Sequence, residues 1–186
     1  FLCTYQGNGN DGWAVVLTVN PGTWTINVNT PFEYDTTAGI FPDLVQLDQY
    51  HHLCVYKGAG GDGWALVLTV TPGTWDVTAQ TPFEFDASMC NNPVVTEITN
   101  DRYLCVYEGF QQKGYASILA VDTATWTISQ ENNWQYTGWY YTPALMKVDD
   151  NHYFTPYATF YGWAAVVGVN TNTWSMSRGP TMRWEN

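Results

Sequence analysis

One hairpin recurs four times along the chain and constrains what the chain can fold into. Each copy begins at a Gly-aromatic pair, continues through an apolar segment and a turn, and closes on a Thr-Trp pair. The closing tryptophans stand 51, 51 and 48 residues apart, at Trp24, Trp75, Trp126 and Trp174. A repeat of about 50 residues is typical of blade-like β-units and is longer than most helical solenoid repeats. The chain is therefore expected to build one structural unit four times.

Each repeat divides into short segments with the composition of β-strands. In the second repeat they are residues 44–47, 53–56, 64–70 and 75–79, rich in Val, Thr, Leu and aromatic residues. No apolar period of about 3.6 residues persists over the length of a helix. Residues 65–68 are apolar on both faces, as expected of a sheet packed between two others. These patterns predict an all-β chain that forms a four-bladed β-propeller, with residues 1–186 as a single domain.

The order of strands within a blade follows from the lengths of the connections. The predicted blades span approximately residues 1–41, 42–92, 93–142 and 143–186. Long segments join one blade to the next, so the strands that follow Pro42, Pro93 and Pro143 are expected to be innermost. The first blade then lacks an inner strand. Three explanations are possible: that blade is short, residues 182–184 turn inward, or another copy completes the ring as a homo-oligomer. The sequence starts at Phe1, inside a repeat, which suggests a segment of a longer protein.

The turns that close the four hairpins resemble the Asp-box of sialidase-like propeller repeats. They are Asn20 to Trp24, Thr71 to Trp75, Asp122 to Trp126 and Asn170 to Trp174. The turns depart from the Asp-box by one missing residue before Thr-Trp, and Asn or Thr replaces Asp in three of the four copies. The resemblance covers the hairpins alone and implies a propeller fold. Because the Asp-box is a structural fastener in that family, the resemblance implies no catalytic residue.

Composition and charge exclude several classes of partner. The chain carries 17 Asp and Glu against six Lys and Arg, a net charge of −11. It therefore offers no basic stripe to phosphates, and nucleic acid is excluded as a partner. No apolar stretch approaches the roughly 18 residues of a membrane-spanning helix, so membrane insertion is not expected. With 45% hydrophobic residues and 12% charged residues, the chain is expected to be folded.

Two sets of residues that recur at fixed repeat positions are predicted to be core. Cys3, Cys54 and Cys105 are 51 residues apart, and equivalent positions in neighbouring blades are too distant for a disulfide, so they are interpreted as buried free thiols. Cys90 lies in a predicted loop and is a candidate reactive thiol. The four closing tryptophans, and the aromatic residues of the Gly-aromatic pairs, are expected to pack between blades.

Glycine-rich loops and the inter-blade segments are expected to lie on one face of the propeller. Asp11 and Asp62 follow glycines in two of these loops and are candidate polar anchors for a ligand. No calcium-loop spacing accompanies them, so neither a metal nor another cofactor is predicted. The nearby carboxylate pairs recur in adjacent blades and are interpreted as solvated strand edges; these pairs are Glu33 with Asp35 and Glu84 with Asp86.

The third repeat differs from the others in one aromatic segment. Where the first two repeats read Thr-Pro-Phe-Glu, residues 133–141 contain five aromatic residues, namely Trp134, Tyr136, Trp139, Tyr140 and Tyr141. Such a segment either plugs a seam of the propeller or forms an exposed platform that stacks on a sugar or a partner protein. The sequence leaves both alternatives open.

These features predict a non-catalytic recognition module that binds a glycan or another surface ligand through the loop face. Its candidate binding residues are Trp134, Tyr136, Trp139, Tyr140, Tyr141, Asp11 and Asp62. A carbohydrate or protein ligand is the expected partner. The alternative is a structural or protein-interaction repeat of a longer surface protein, and a glycoside hydrolase would require the carboxylate pairs to converge. An extracellular or cell-surface location is favoured.

Overall fold

The four repeats form four antiparallel β-sheets that follow one another along the chain. The computed structural model describes residues 1–184, which contain no α-helix and two short 3₁₀ turns at Ala59–Gly61 and Phe110–Gln112. Sheet 1 contains β1 (Leu2–Gln6), β2 (Gly12–Val19), β3 (Ile26–Val28) and β4 (Phe32–Asp35). Sheet 2 contains β5 (Ile40–Gln46), β6 (His51–Lys57), β7 (Gly63–Val70), β8 (Val77–Ala79) and β9 (Phe83–Asp86).

The other two sheets have uninterrupted outer strands. Sheet 3 contains β10 (Asn91–Thr99), β11 (Arg102–Gly109), β12 (Lys113–Asp122) and β13 (Thr127–Trp139). Sheet 4 contains β14 (Met146–Lys147), β15 (His152–Ala158), β16 (Gly162–Asn170) and β17 (Ser175–Trp184). In sheets 1 and 2 the outer strand is divided, because β3 and β4 both pair with β2, and β8 and β9 both pair with β7.

The first strands of sheets 2, 3 and 4 contact one another in series. Strand β5 contacts β10, and β10 contacts β14. Sheet 1 has no counterpart of these strands within residues 1–184. Residues 182–184 do not supply it, because they belong to the outer strand of sheet 4.

Successive sheets pack face to face, and alternate residues of one strand enter different cores. On β7, Ala65 and Val67 join the core between sheets 2 and 3, whereas Leu66 and Leu68 join the core between sheets 1 and 2. All four side chains are fully buried. This arrangement explains the run of apolar residues on both faces that the sequence shows.

Packing joins sheet 1 to sheet 2, sheet 2 to sheet 3 and sheet 3 to sheet 4. Contacts of similar extent do not join sheet 1 to sheet 4 within residues 1–184. The all-β prediction is therefore confirmed and the repeats form four antiparallel sheets, whereas closure into a four-bladed ring is not observed in this part of the chain. No helix among these residues is long or apolar enough to cross a membrane.

The tryptophan that closes each hairpin has a left-handed backbone conformation. Its φ angle lies between 52° and 63° in all four copies. The Trp N–H donates to the carbonyl four residues earlier at 2.6–2.9 Å, which closes an α-turn; the pairs are Trp24 with Asn20, Trp75 with Thr71, Trp126 with Asp122 and Trp174 with Asn170. A left-handed φ is uncommon for a residue with a side chain, so the repeated turn imposes local strain.

The prediction that these four tryptophans are core is wrong for two of them. Trp24 is 80% exposed and Trp75 is 40% exposed, whereas Trp126 and Trp174 are half-buried against the cores on either side of sheet 3. The burial of each tryptophan depends on the sheet that packs next to it. No sheet precedes sheet 1 within residues 1–184, and sheet 1 lacks the inner strand and turn that would cover Trp75.

All four cysteines are free thiols, as predicted for three of them. Cys54 and Cys105 are fully buried, and Cys3 is half-buried. The interpretation of Cys90 as a reactive thiol is wrong. Cys90 is fully buried, and burial raises the pKa of its thiol well above the usual value, which disfavours the nucleophilic thiolate.

Candidate functional site

The loop that joins β1 to β2 in sheet 1, and the loops that join the second and third strands of sheets 2, 3 and 4, lie beside the segments that join successive sheets. Together these two kinds of segment are called the loop face. The loops within sheets are residues 7–11, 58–62, 109–112 and 159–161, and the connections between sheets are residues 36–39, 87–90 and 140–145. Backbone hydrogen bonds tie the two kinds of segment together, from Gly39 N to Asn10 O at 2.7 Å, from Cys90 N to Gly61 O at 2.8 Å and from Tyr140 N to Gln112 O at 2.9 Å. The common face that the sequence predicts is thus present.

Two of the five aromatic residues of the predicted platform are core residues. Tyr136 and Tyr140 are buried, and both hydroxyls hydrogen-bond with Thr155 Oγ1, at 3.3 and 2.8 Å. Their rings meet edge to face with centroids 5.4 Å apart, and Tyr140 also packs on Tyr157. These two residues plug the seam between sheets 3 and 4, and they present no ring face to a ligand.

The other three aromatic residues lie nearer the surface. Trp134 and Tyr141 are half-buried, and Tyr141 pairs with Ala158 through two backbone hydrogen bonds of 3.0 Å. Trp139 is 60% exposed and lines a pocket of about 360 Å³ between sheets 3 and 4, within the described residues. The pocket is lined by Thr137, Gly138, Trp139, Tyr157, Thr159, Phe160, Trp163, Arg178 and Thr181.

This aromatic pocket is suited to contact rather than to acid–base chemistry. Its lining contains no carboxylate and no histidine, so it offers no group that ordinarily exchanges a proton near neutral pH. The Arg178 guanidinium donates to the carbonyl oxygen of Tyr136 at 3.0 Å, and the Trp163 indole donates to Thr159 Oγ1 at 3.1 Å. The pocket can hold an apolar ring beside a cation.

The predicted polar anchors Asp11 and Asp62 are not brought to the aromatic segment. Asp11 belongs to a loop of sheet 1 and Asp62 to the equivalent loop of sheet 2, and neither lines the aromatic pocket. Their carbonyl oxygens accept hydrogen bonds from Gly7 N at 2.8 Å and Gly58 N at 2.9 Å, which close the two loops. A ligand-binding role for the two side chains stays a prediction.

The aspartate of each carboxylate pair joins two neighbouring sheets, and the two pairs do not form a common site. Asp35 accepts a hydrogen bond from Tyr56 at 3.1 Å, across the junction of sheets 1 and 2. Asp86 accepts one from Tyr107 at 2.7 Å, across the junction of sheets 2 and 3. Each aspartate also accepts from backbone N–H groups two and three residues later. These carboxylates therefore act as turn-forming and inter-sheet fasteners.

A polar cluster that the sequence analysis did not single out joins sheets 2 and 3 beside the loop face. Lys57 ends β6, Asn91 begins β10, and Glu108 lies near the end of β11, directly opposite Asn91. The Lys57 ammonium donates to Asn91 Oδ1 at 2.7 Å. Asn91 lies opposite Glu108 on the neighbouring strand, and its amide is near enough to lower the pKa of the Glu108 carboxyl group. These three residues are called the Lys-Asn-Glu cluster.

Glu108 is the carboxyl group of this cluster and is only 5% exposed. Burial raises its pKa above the usual value, and this effect outweighs the lowering by Asn91 and by the Lys57 charge. A carboxyl group with a raised pKa beside a cation has the properties of a general acid or base. Asn92, the residue after Asn91, lines a pocket of about 280 Å³ with Phe41, Pro42, Asp43, Pro93, Val94, Thr142 and Pro143.

One signal in the sequence could have identified the cluster. Lys57 and Glu108 are 51 residues apart and occupy the same repeat position, with opposite charges in adjacent repeats. Opposite charges at equivalent positions of adjacent blades can lie close when the blades pack side by side. Aligning the repeats therefore pairs Lys57 with Glu108. The position of Asn91 next to both residues becomes evident only in the packing of sheet 2 on sheet 3.

The histidines lie on the opposite face, next to turns. His51 Nδ1 lies 2.9 Å from both carboxylate oxygens of Asp48, and His152 makes the equivalent contacts with Asp149 at 2.9 and 3.0 Å. Within residues 1–184 no group of three or more His, Cys, Asp or Glu side chains is arranged to hold a metal ion. His51 and His152 are the first residues of β6 and β15, and each contacts the Asp three residues earlier in the preceding turn.

Comparisons with known proteins give a fold and no sequence family. No family model matches the chain, and no curated protein matches it significantly. A structure of a protein from Lactobacillus plantarum, with no stated activity, is 12% identical, has a TM-score of 0.67, and matches 95% of this chain and 50% of its own.

Two further similar structures come from Bacteroides species, and both are provisionally assigned as 6-phosphogluconolactonases. The Bacteroides uniformis protein is 12% identical, with a TM-score of 0.64 over 96% of this chain and 55% of its own. The Bacteroides fragilis protein is 10% identical, with a TM-score of 0.64 over 91% of this chain and 47% of its own. The chain thus spans about half the length of the structures it resembles.

These neighbours contradict the predicted function. The sequence predicts a non-catalytic recognition module, whereas the fold is shared with proteins provisionally assigned as 6-phosphogluconolactonases. The sialidase type of repeat is not shown either. The chain is an all-β protein of four antiparallel sheets whose fold is similar to that of propeller-like, 6-phosphogluconolactonase-like proteins.

Proposed function

We propose that the four sheets are four blades of a propeller and that the chain belongs to a lactone-hydrolysing enzyme whose catalytic group is Glu108. The observation that carries the proposal is the buried carboxyl group of Glu108, which lies opposite Asn91 and near the Lys57 charge beside the loop face. The provisional assignment of two structures with this fold supports the choice of a lactone as substrate. The aromatic pocket is less suited to the chemistry, because its lining has no proton-transfer group.

Lactone hydrolysis needs a base that activates water and a group that stabilises an oxyanion. In the proposed reaction the Glu108 carboxylate takes a proton from water while the water oxygen attacks the lactone carbonyl carbon. The Lys57 ammonium stabilises the negative charge on the carbonyl oxygen. The bond between that carbon and the ring oxygen then breaks, and Glu108 returns the proton to the ring oxygen. The product is the open-chain hydroxy acid, and Asn91 acts as a positioning residue.

The charge of the chain bears on the preferred substrate. At a net charge of −11 the chain repels anions at long range. The only cation of the Lys-Asn-Glu cluster is Lys57, which already donates to Asn91. We therefore propose that an uncharged sugar lactone is hydrolysed at least as well as its phosphorylated form.

Lactone hydrolysis measured at constant pH tests the proposal. Glucono-δ-lactone and its 6-phosphate are followed by acid release, with the spontaneous rate subtracted. We expect Glu108→Gln to lower kcat/KM by about 100-fold or more, since general base catalysis contributes about that much. The matched control Glu84→Gln makes the same change on an exposed residue and should leave kcat/KM unchanged.

The pH dependence provides a second readout. Because burial raises the pKa of Glu108, the acidic limb of kcat/KM should lie above the range of an ordinary glutamate, which is near pH 4.3. Lys57→Met removes the neighbouring positive charge and should move this limb to still higher pH. Wild-type protein that hydrolyses neither lactone above the spontaneous rate, or a Glu108→Gln variant as active as wild type, would refute the assignment.

A further inference from the structure

Each junction between two well-covered sheets contains the same side-chain stack. At the junction of sheets 2 and 3 the Trp126 ring stacks on His51, with centroids 3.7 Å apart and planes inclined by 16°. At the junction of sheets 3 and 4 the Arg102 guanidinium lies over the Trp174 ring at 5.1 Å. His51 and Arg102 occupy one repeat position, 51 residues apart. The closing tryptophan of one sheet thus covers the His or Arg of the preceding sheet.

The two ends of the array carry the two separate halves of this stack. Trp24 of sheet 1 is the equivalent of Trp126 and Trp174, and it is 80% exposed. His152 of sheet 4 is the equivalent of His51 and Arg102, and its side chain is 54% exposed, against 18% for His51. One end therefore presents a tryptophan and the other end presents the kind of residue that this tryptophan covers elsewhere.

Apolar residues beside the stack are likewise covered at the junctions between sheets and exposed at the end of the array. Ile26 and Val28 on β3 are exposed. The residues at the position of Ile26 in the other sheets are covered: Val77 in sheet 2 is 5% exposed, and Ile128 and Met176 in sheets 3 and 4 pack against inter-sheet cores. On sheet 4, Tyr153 and Tyr157 are buried in the core it shares with sheet 3.

The opposite face of sheet 4 is also apolar. Phe154, Pro156 and Val166 alternate with buried residues along β15 and β16 and are only half-buried. Both end faces of the array thus have the composition of an inter-sheet interface and lack a sheet that covers them within residues 1–184. Exposed apolar faces of this kind mark interaction surfaces.

We propose that a second copy of this chain covers both end faces, with sheet 1 of each copy packed on sheet 4 of the other. Trp24 of one copy then stacks on His152 of its partner, continuing the stack found inside the chain. Two copies bring together eight sheets, which lies within the roughly four to eight blades of known propellers. A head-to-tail interface closes into a ring when the rotation per copy fits, and in the proposed assembly the ring closes at two copies.

The lengths of the similar structures support this occupant. Each of them is about twice as long as the part that this chain matches, since the chain covers 47–55% of them. Two copies would therefore provide a body of similar size. Each copy has a net charge of −11, so repulsion opposes association at low salt. The apolar end faces should overcome that repulsion when salt screens it.

The mass of the chain in solution tests the proposal. Light scattering after size-exclusion chromatography, over about a hundredfold range of concentration, should give twice the 21.0 kDa chain mass at the upper end. Added sodium chloride should increase the dimer fraction. Ile26→Asp with Val28→Asp, and separately His152→Glu, should each lower the dimer fraction at least tenfold at equal concentration. All three positions are exposed in a single copy, so the variants should fold.

A matched control separates this interface from non-specific association. Phe160→Asp makes the same kind of change at a residue of the loop face that is also exposed, and should leave the dimer fraction unchanged. A wild-type mass of one chain at every concentration would overturn the proposal and indicate that a different partner covers the end faces. Masses that grow beyond two chains, or variants that dimerise like wild type, would overturn it as well.

Discussion

The junction between sheets 2 and 3 and the open face of sheet 1 are built from equivalent repeat positions and reach opposite states. At the junction, Trp126 stacks on His51, and Ile128 packs against a core of fully buried residues such as Leu119. On the open face, the equivalent Trp24 and Ile26 are exposed. The comparison teaches that the repeat determines the residue type at a position, whereas the neighbouring sheet determines its burial.

The largest expected effect comes from a core residue of the junction. Leu119→Ala removes a fully buried side chain from the core between sheets 2 and 3 and should lower the free energy of unfolding by about 2–5 kcal/mol. Val28→Ala on the open face should change it by less than about 0.5 kcal/mol at concentrations where the chain is monomeric. Urea denaturation measures both values. Equal losses would show that the open face is covered in the single chain.

Hydrogen bonds across two junctions offer a comparison of intermediate size. Tyr107→Phe removes the hydroxyl that donates to the Asp86 carboxylate at 2.7 Å, and a bond to a charged group is worth about 1.5–3 kcal/mol. Tyr157→Phe removes the equivalent contact with Thr137 Oγ1 at 3.1 Å, a neutral pair worth about 0.5–1.5 kcal/mol. Urea denaturation at neutral pH should rank them in this order. A larger loss of unfolding free energy for Tyr157→Phe than for Tyr107→Phe would contradict the larger contribution expected of the bond to the Asp86 carboxylate.

The smallest expected effect concerns the turns that hold His51 and His152. Burial raises the pKa of Asp48, but hydrogen bonds from Tyr50 and His51 lower it by more. The net effect is a pKa below the usual value. A carboxyl group with a lowered folded-state pKa stabilises the fold above its unfolded pKa, near 3.9, and this contribution disappears as the pH falls through the folded value. Asp48→Asn should therefore lower the urea midpoint at pH 7 and have little effect at strongly acidic pH.

The equivalent turn at the open end provides the control. Hydrogen bonds from Asn151 and His152 lower the pKa of Asp149, so Asp149→Asn should show the same pH dependence. Its effect at pH 7 should be smaller than that of Asp48→Asn, because His51 is held against Trp126 whereas His152 is exposed. Equal effects of the two substitutions would indicate that the stack on Trp126 does not depend on the turn.

Much of the fold could be predicted from the sequence because the information is local and repeated. The spacing of the closing tryptophans, the strand-like segments and the apolar runs such as residues 65–68 identified an all-β chain of repeated sheets. The core assignment of Trp24 and Trp75 was wrong because it assumed that every sheet has the same neighbours.

Less of the candidate site could be predicted. Composition pointed to the aromatic segment, yet the structure buries Tyr136 and Tyr140 in the seam between sheets 3 and 4 and leaves Trp139 at a pocket. Glu108 carries no local mark in the sequence that distinguishes it from an exposed carboxylate. Its desolvation and its position near Asn91 and Lys57 arise only when strands from two sheets are placed side by side.

The sequence by itself determined the repeated unit, because strand propensity, turn formation and the alternation of side chains act over a few residues. The tertiary structure alone decided which copies of each repeated residue are buried, which carboxyl group is desolvated and which sheet faces are open. Burial and pKa depend on atoms that lie many residues away along the chain, and only the packing of one sheet on the next brings those atoms together.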